Sequence, residues 1–191
     1  SAGCAAAGPP PASVLDSLAI TVRGASREFA YTNKESAFLY GETNAENTTG
    51  WQGFNVFGHE FLDDYRLIID GKELDRSAAR TTVYPDFMRR IYPTGVVEEV
   101  HPADSLALFV VTITSPQAIE VGALPLFADG GHPTDFEISL SPSCALVARK
   151  NHLVRTDGQN YPVWLAVYAQ GFTPALQSDT RGFQYSPVAL H

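Results

Sequence analysis

Short runs of apolar residues alternate with polar ones along the chain and recur at roughly ten-residue spacing, which is typical of antiparallel strands. The helical spacing of three and four residues is rare. The runs that predict strands are residues 18–23, 37–41, 65–69, 81–84, 87–92, 96–101, 105–114, 118–127, 135–140, 145–149 and 163–170.

Turn residues separate these runs. The chain has 15 Gly and 13 Pro, which favours many turns over long helices. Asp70-Gly71, between two of the apolar segments, predicts a tight hairpin because glycine tolerates a positive φ. Residues 75–79 and 102–104 each predict one helical turn. The pattern therefore predicts an all-β fold, a large antiparallel β-sandwich with few short helical turns.

The N-terminus has a different composition from the rest. Residues 1–12 are rich in Ala, Gly and Pro and predict a flexible tether, and residues 13–191 predict a single domain. The start, Ser1-Ala2-Gly3-Cys4, resembles the end of a bacterial lipoprotein signal, although the usual bulky apolar residue is replaced by Ser1. A lipid anchor on Cys4 and an ordinary exported or trimmed N-terminus are the two alternatives. The localisation that we predict is export, to the periplasm or the outer surface, with a lipoprotein as one form of it.

Charge and hydropathy argue against nucleic-acid binding and against a membrane-spanning helix. The formal net charge is -8 and no cluster of Lys and Arg is present, so we predict no nucleic-acid partner. No apolar run reaches the roughly 20 residues of a membrane-spanning helix, so we predict no transmembrane segment.

Aromatic and acidic residues are concentrated in residues 50–71. An exposed aromatic ring beside carboxylates is what a sugar site needs, because rings stack on sugar C–H faces while carboxylates accept bonds from hydroxyls. Core or inter-domain packing is the alternative interpretation. Residues 50–58 predict a projecting loop, and Phe61 begins the strand that anchors it. The candidate carbohydrate-binding or inter-domain residues are Trp51, Phe57, His59, Asp63, Asp64 and Tyr65.

The adjacent acidic pairs Asp63-Asp64 and Glu98-Glu99 are the candidates for catalytic carboxyl groups. Glycoside hydrolysis needs two carboxyl groups about 5–10 Å apart. Neighbours on a strand face opposite sides, so only one member of each pair could share a substrate, and solvated strand edges are the other interpretation. The histidines lack ligand spacing, and phosphate-loop, dinucleotide and nucleophile motifs are absent, so we predict no catalytic residue, metal or cofactor.

The order of an aromatic run, then "YRLIIDGKELD", then "TTVYPDFMRRIYPTGVVEEVHPADSLALFVVTITSPQAIEVGALPLFADG" resembles the N-terminal domain of glycogen-debranching-type glycoside hydrolases, relatives of the six-hairpin glycosidases. The resemblance covers roughly residues 35–130. It implies a supersandwich that packs on an α/α-barrel carrying the catalytic carboxylates. The residues after Val163 cannot supply that barrel, so the implied partners are a helical catalytic domain of the same polypeptide and an α-glucan or related oligosaccharide.

Three classes of function follow. The first is a non-catalytic β-sandwich domain of a glycoside hydrolase, in which the parent protein and not this chain carries the activity. The second is an independent carbohydrate-binding module. The third is a structural or adhesive sandwich with an apolar docking face.

Overall fold

A computed structural model describes residues 14–129, 132–133, 136–153, 160–176 and 183–187 of the chain. The predicted tether and Cys4 lie outside these residues. The described part consists of antiparallel strands in three sheets and two short 3₁₀ helices, Asp16–Leu18 and Arg76–Ala78. The predicted all-β, sandwich-like fold is confirmed.

The first sheet has five described strands in the spatial order β1, β7, β8, β9, β10. Every neighbouring pair is antiparallel. These strands are β1 (Ile20–Thr21), β7 (Arg80–Val83), β8 (Met88–Ile91), β9 (Val97–Pro102) and β10 (Phe109–Thr114).

The second sheet is the largest, with nine described strands. Its main path runs β16, β17, β11, β5, β4, β3, β2, while β6 pairs with β5 and β12 with β11. These strands are β2 (Glu28–Thr32), β3 (Ala37–Glu42), β4 (Gly53–Val56), β5 (His59–Ile69), β6 (Lys72–Glu73), β11 (Glu120–Asp129), β12 (His132–Pro133), β16 (Phe172–Leu176) and β17 (Phe183–Pro187).

The third sheet consists of β13 (Glu137–Leu140), β14 (Cys144–Leu153) and β15 (Asn160–Tyr168), paired in chain order. Alternation along β14 and β15 buries Ala145, Val147 and Leu165. These side chains join a core cluster to which the other two sheets also contribute. The third sheet therefore covers part of the core with one face and exposes the other.

Two apolar clusters hold the sheets together. The larger one contains residues from all three sheets, including Leu39, Phe54, Met88, Val100 and Val147. The smaller one forms between the first and second sheets and consists of Leu67, Ile69, Ala79, Tyr92, Val96 and Ile119. Because the side chains of these two clusters are apolar, their burial from water helps to hold the sheets together.

Each of the eleven predicted runs contains or overlaps a strand, but one segment differs from prediction. Residues 50–58 were predicted as a projecting loop, yet they contain the buried strand β4, paired with β3 and β5. Gly53 has a φ of +116°, and a Cβ there would lie 2.1 Å from the Leu62 carbonyl oxygen. The glycine therefore permits close strand approach rather than a loop.

Of the three turn predictions, two are confirmed and one is wrong. Asp70 and Gly71 both have positive φ and join β5 to β6, as predicted. The turn at residues 75–79 is the 3₁₀ helix Arg76–Ala78, whose N-cap Asp75 accepts a bond from the Ser77 N–H at 2.8 Å. The helical turn predicted at residues 102–104 is wrong, because Pro102 ends β9.

Candidate functional site

The loop between β3 and β4 displays Trp51 to solvent. The Trp51 side chain is 45% exposed, and its backbone adopts a φ of +76°. A bulky residue in the left-handed region is a conformational outlier that persists only when its surroundings hold it there. The neighbouring contacts identify what holds it.

Gln52, fully buried, is the main anchor of this loop. Its Oε1 accepts the backbone N–H groups of Thr48 at 2.6 Å and Thr49 at 3.0 Å, and its Nε2 donates to Glu42 Oε1 at 3.1 Å. Asn55 on β4 donates from Nδ2 to the Trp51 carbonyl at 3.0 Å. The backbone on both sides of Trp51 is therefore fixed while the indole stays exposed.

Asn47 is a further anchor of the same loop. Its Nδ2 donates to the Asp63 carbonyl oxygen, and its backbone N–H donates to Asp64 Oδ2 at 3.3 Å. Asn47-Thr48-Thr49 is also an N-glycosylation sequence, and glycosylation uses that same side-chain nitrogen. In the folded chain this nitrogen is engaged in a structural hydrogen bond.

Polar groups on β2 and β3 lie beside the loop. Tyr40 donates to Glu28 Oε1 at 2.5 Å, and Ser26 donates to Glu42 Oε2 at 2.7 Å. The bond from Tyr40 to Glu28 raises the pKa of the phenol. Each carboxylate keeps free lone pairs, since two oxygens offer about four acceptor positions. We call Trp51, Glu28, Tyr40 and Glu42 the Trp51 surface.

Asp64 and Tyr65 lie in the interior. Arg76 donates to both Asp64 oxygens, at 2.8 and 2.9 Å, which is the bidentate arrangement that suits a guanidinium. The same guanidinium donates to the Tyr65 carbonyl oxygen and lies 5.3 Å from the centre of the Tyr65 ring. Both ion-pair partners are nearly buried.

Glu98 is the fully buried centre of the network. Arg90 donates to its Oε1 at 2.7 Å, Tyr92 donates to its Oε2 at 2.7 Å, and the Tyr65 hydroxyl donates to Oε1. Burial alone would raise the pKa of Glu98, but Arg90, Arg76 and the two hydroxyls hold that pKa below its ordinary value. We call Asp64, Tyr65, Arg76, Arg90, Tyr92 and Glu98 the buried network.

The remaining Arg90 donors are also used. Its Nε and one terminal nitrogen each donate at 2.7 Å, to the Thr43 and Glu42 carbonyl oxygens. Beside the network is a cavity of about 20 Å³, room for about one water molecule. Asp64 and Glu98, one member of each acidic pair, belong to the same network, and each has its own arginine partner. This arrangement stabilises the fold and engages both of these carboxylates with arginine.

The other candidate residues lie apart from each other. Phe57, 79% exposed with a φ of +51°, occupies the turn between β4 and β5 at the opposite end of β4 from Trp51. His59, half-buried, begins β5 opposite Val56. Asp63 is half-buried, and burial followed by the charge of Asp64 raises its pKa. The structure therefore does not bring the six candidates into one site.

Several important residues were not anticipated from the sequence. Arg76, Arg90 and Tyr92 complete the buried network, and Gln52 fixes the Trp51 loop. The sequence contains one signal for Arg90. Arg90 lies two residues after the apolar Met88, and alternate residues on a strand share a face, so a buried Met88 indicates a buried Arg90.

A second exposed aromatic surface lies on the outer face of the third sheet. Trp164 is 56% exposed and Tyr168 67% exposed, and Leu146 on the neighbouring strand is 39% exposed. Trp164 lies opposite Ala148 and Tyr168 opposite Cys144, so this face carries small or apolar residues between the rings. We call it the third-sheet face.

Comparisons of the chain with protein-family models, curated proteins and solved structures gave no match. The resemblance to glycogen-debranching-type hydrolases therefore stays a prediction. Within the described ranges, no group of three or more His, Cys, Asp or Glu side chains is placed to hold a metal ion. The described part of the chain also contains no helix with the length and apolar character needed to cross a membrane.

Proposed function

We propose that the chain is a non-catalytic β-sandwich module that binds carbohydrate through the Trp51 surface. The observation that carries this proposal is an exposed indole on a backbone in the left-handed region, held by the buried side chains of Gln52 and Asn55. Such strain needs support from its surroundings and is concentrated at ligand-binding positions. A buried glutamine and asparagine that fix an exposed tryptophan are consistent with that role.

The chemistry of the neighbours supports a sugar over an apolar ligand. The indole offers a flat face for sugar C–H groups, and the carboxylates of Glu28 and Glu42 can accept bonds from hydroxyls. A fixed loop loses little conformational entropy on binding, which favours affinity. Stacking and hydroxyl recognition together are what a neutral oligosaccharide requires.

The test is calorimetric titration of the 191-residue chain with α-glucans and a panel of other oligosaccharides. We expect saturable binding that weakens at least tenfold in Trp51→Ala, which corresponds to about 1.4 kcal/mol. Trp164→Ala is the matched control, because it removes the other exposed tryptophan and should leave the affinity unchanged. Absence of binding to every glycan, or equal affinity in Trp51→Ala, would contradict the proposal.

A second candidate is the accessory domain of a glycoside hydrolase, packed against a helical catalytic domain of the same polypeptide. The third-sheet face favours it, because Trp164, Tyr168 and Leu146 expose apolar area that a partner domain would cover. If the reading frame encodes such a domain, hydrogen exchange of the longer protein should show added protection on β14 and β15. Unchanged exchange there would contradict this candidate.

A further inference from the structure

Asn55 and Glu60 face each other across the second sheet. They are register partners on β4 and β5, and both are buried. Directly opposed residues on an antiparallel pair place their Cβ atoms about 5 Å apart on the same face. The two side chains therefore occupy neighbouring positions on one face of the sheet.

The amide of Asn55 is satisfied on one side only. Its Nδ2 donates to the Trp51 carbonyl at 3.0 Å and, more weakly, to the Gly53 carbonyl at 3.4 Å. Its Oδ1 is buried and accepts no hydrogen bond from the described part of the chain. A buried acceptor in this state needs a donor.

Glu60 can be that donor only when it carries a proton, because an ionised carboxylate has no hydrogen to give. Its surroundings favour the protonated form: burial and then the negative charge of Asp63 raise the pKa of Glu60 to about 7. Its register partner on β11 is Ala128, and Phe38 on β3 lies beyond Asn55, so neither position supplies a charge. His59 is the adjacent titratable residue on the same strand.

We infer that protonated Glu60 donates to Asn55 Oδ1 and that this bond fixes the amide that holds the Trp51 carbonyl. Loss of the proton leaves a carboxylate facing the amide oxygen, and the repulsion favours rotation of the amide away from Trp51. The Trp51 loop is thereby coupled to pH through Asn55. The consequence for sugar binding rests on the proposed function, but the coupling itself does not.

The test is an NMR titration of the free chain from pH 5 to 9, following the Glu60 carboxyl carbon, the Asn55 side-chain amide and the Trp51 indole N–H. We expect all three to shift with one midpoint near 7. In Glu60→Gln, whose amide can donate at every pH, the Asn55 and Trp51 signals should stay at their low-pH positions throughout.

Two control variants separate Glu60 from its neighbours. His59→Asn replaces the neighbouring histidine on the same strand and should keep the midpoint. Asp63→Asn removes a negative charge and should lower the midpoint. A Glu60 midpoint near 4.5, or Asn55 and Trp51 signals that do not follow Glu60 in the unaltered chain, would overturn the inference.

Sugar titrations at two pH values connect the coupling to the proposed function. Affinity should differ between pH 6 and pH 8 in the unaltered chain and should not differ in Glu60→Gln. If no glycan binds at either pH, the proposed function fails, while the NMR titration still decides whether Glu60 controls the loop.

Discussion

Two ion pairs lie side by side on β8 and β9 and differ mainly in which way they face. Arg90 is the register partner of Glu98, and Arg89 is that of Glu99. Arg90 and Glu98 are 3% and 0% exposed in their side chains, whereas Arg89 and Glu99 are 38% and 26% exposed. The same residue types on the same two strands therefore experience opposite environments.

The comparison shows that the N–O distance alone does not determine how much an ion pair contributes to stability. The N–O distances are nearly equal, 2.7 Å for the buried pair and 2.6 Å for the outer one. Removing one partner of a buried pair leaves an uncompensated charge in a medium of low polarity, while water and salt screen the outer pair. The outer Arg89 also packs on the rings of Tyr84 and Phe87, which gives it contacts other than charge.

The largest effect is expected for Glu98→Gln. Arg90 would be left buried without a counter-ion, and the free energy of unfolding should fall by about 3–5 kcal/mol. Urea denaturation followed by circular dichroism measures it, with Glu99→Gln as the matched control. A loss below about 1 kcal/mol in Glu98→Gln would mean that the buried pair is worth no more than the outer one.

Acid should remove the difference in stability between the unaltered chain and Glu98→Gln. Because its neighbours hold the folded-state pKa of Glu98 below 4.5, the stability that it contributes is present above pH 4.5 and is lost as pH falls through the folded-state pKa. Unfolding free energies of the unaltered chain and Glu98→Gln should therefore converge in acid. Glu60, whose pKa is raised, stabilises the fold as pH falls through 7, but it is present in both proteins and cancels. A gap that stays constant down to pH 3 would contradict the assignment.

Tyr92→Phe should have an intermediate effect. It deletes the hydroxyl that donates to Glu98 Oε2 at 2.7 Å, and a hydrogen bond to a charged group contributes about 1.5–3 kcal/mol. Tyr84→Phe is the control, because its hydroxyl accepts a long 3.4 Å bond from the outer Arg89. Equal losses of stability in the two variants would show that burial does not strengthen the Tyr92 bond.

The smallest effect is expected for the outer pair. A double-mutant cycle with Arg89→Ala and Glu99→Gln should give a coupling free energy of at most about 1 kcal/mol that decreases with added salt. Chemical denaturation at low and high ionic strength measures it. A coupling comparable to that of Arg90 and Glu98 would remove the distinction between inner and outer faces.

The strands were largely predictable because alternation and turn residues are local signals. Asp70-Gly71 gave its hairpin, and the rule that strand neighbours face opposite sides gave the separation of Glu98 from Glu99. The buried network was not predictable, because Arg90 finds acceptors on Glu42 and Thr43, some 47 residues away. The loop prediction for residues 50–58 failed for a related reason. The positive φ of Gly53 permits a close contact with Leu62, which no local pattern encodes.

The placement of the two tryptophans determines what the intrinsic fluorescence of this protein reports. The chain has two Trp residues, and both Trp51 and Trp164 are about half exposed. Their fluorescence in the folded state should already resemble that of indole in water and should change little when the core unfolds. The same emission should respond to whatever covers either surface. Intrinsic fluorescence is thus a reporter of ligand contact for this chain, and Trp51→Phe and Trp164→Phe would assign the response to one face or the other.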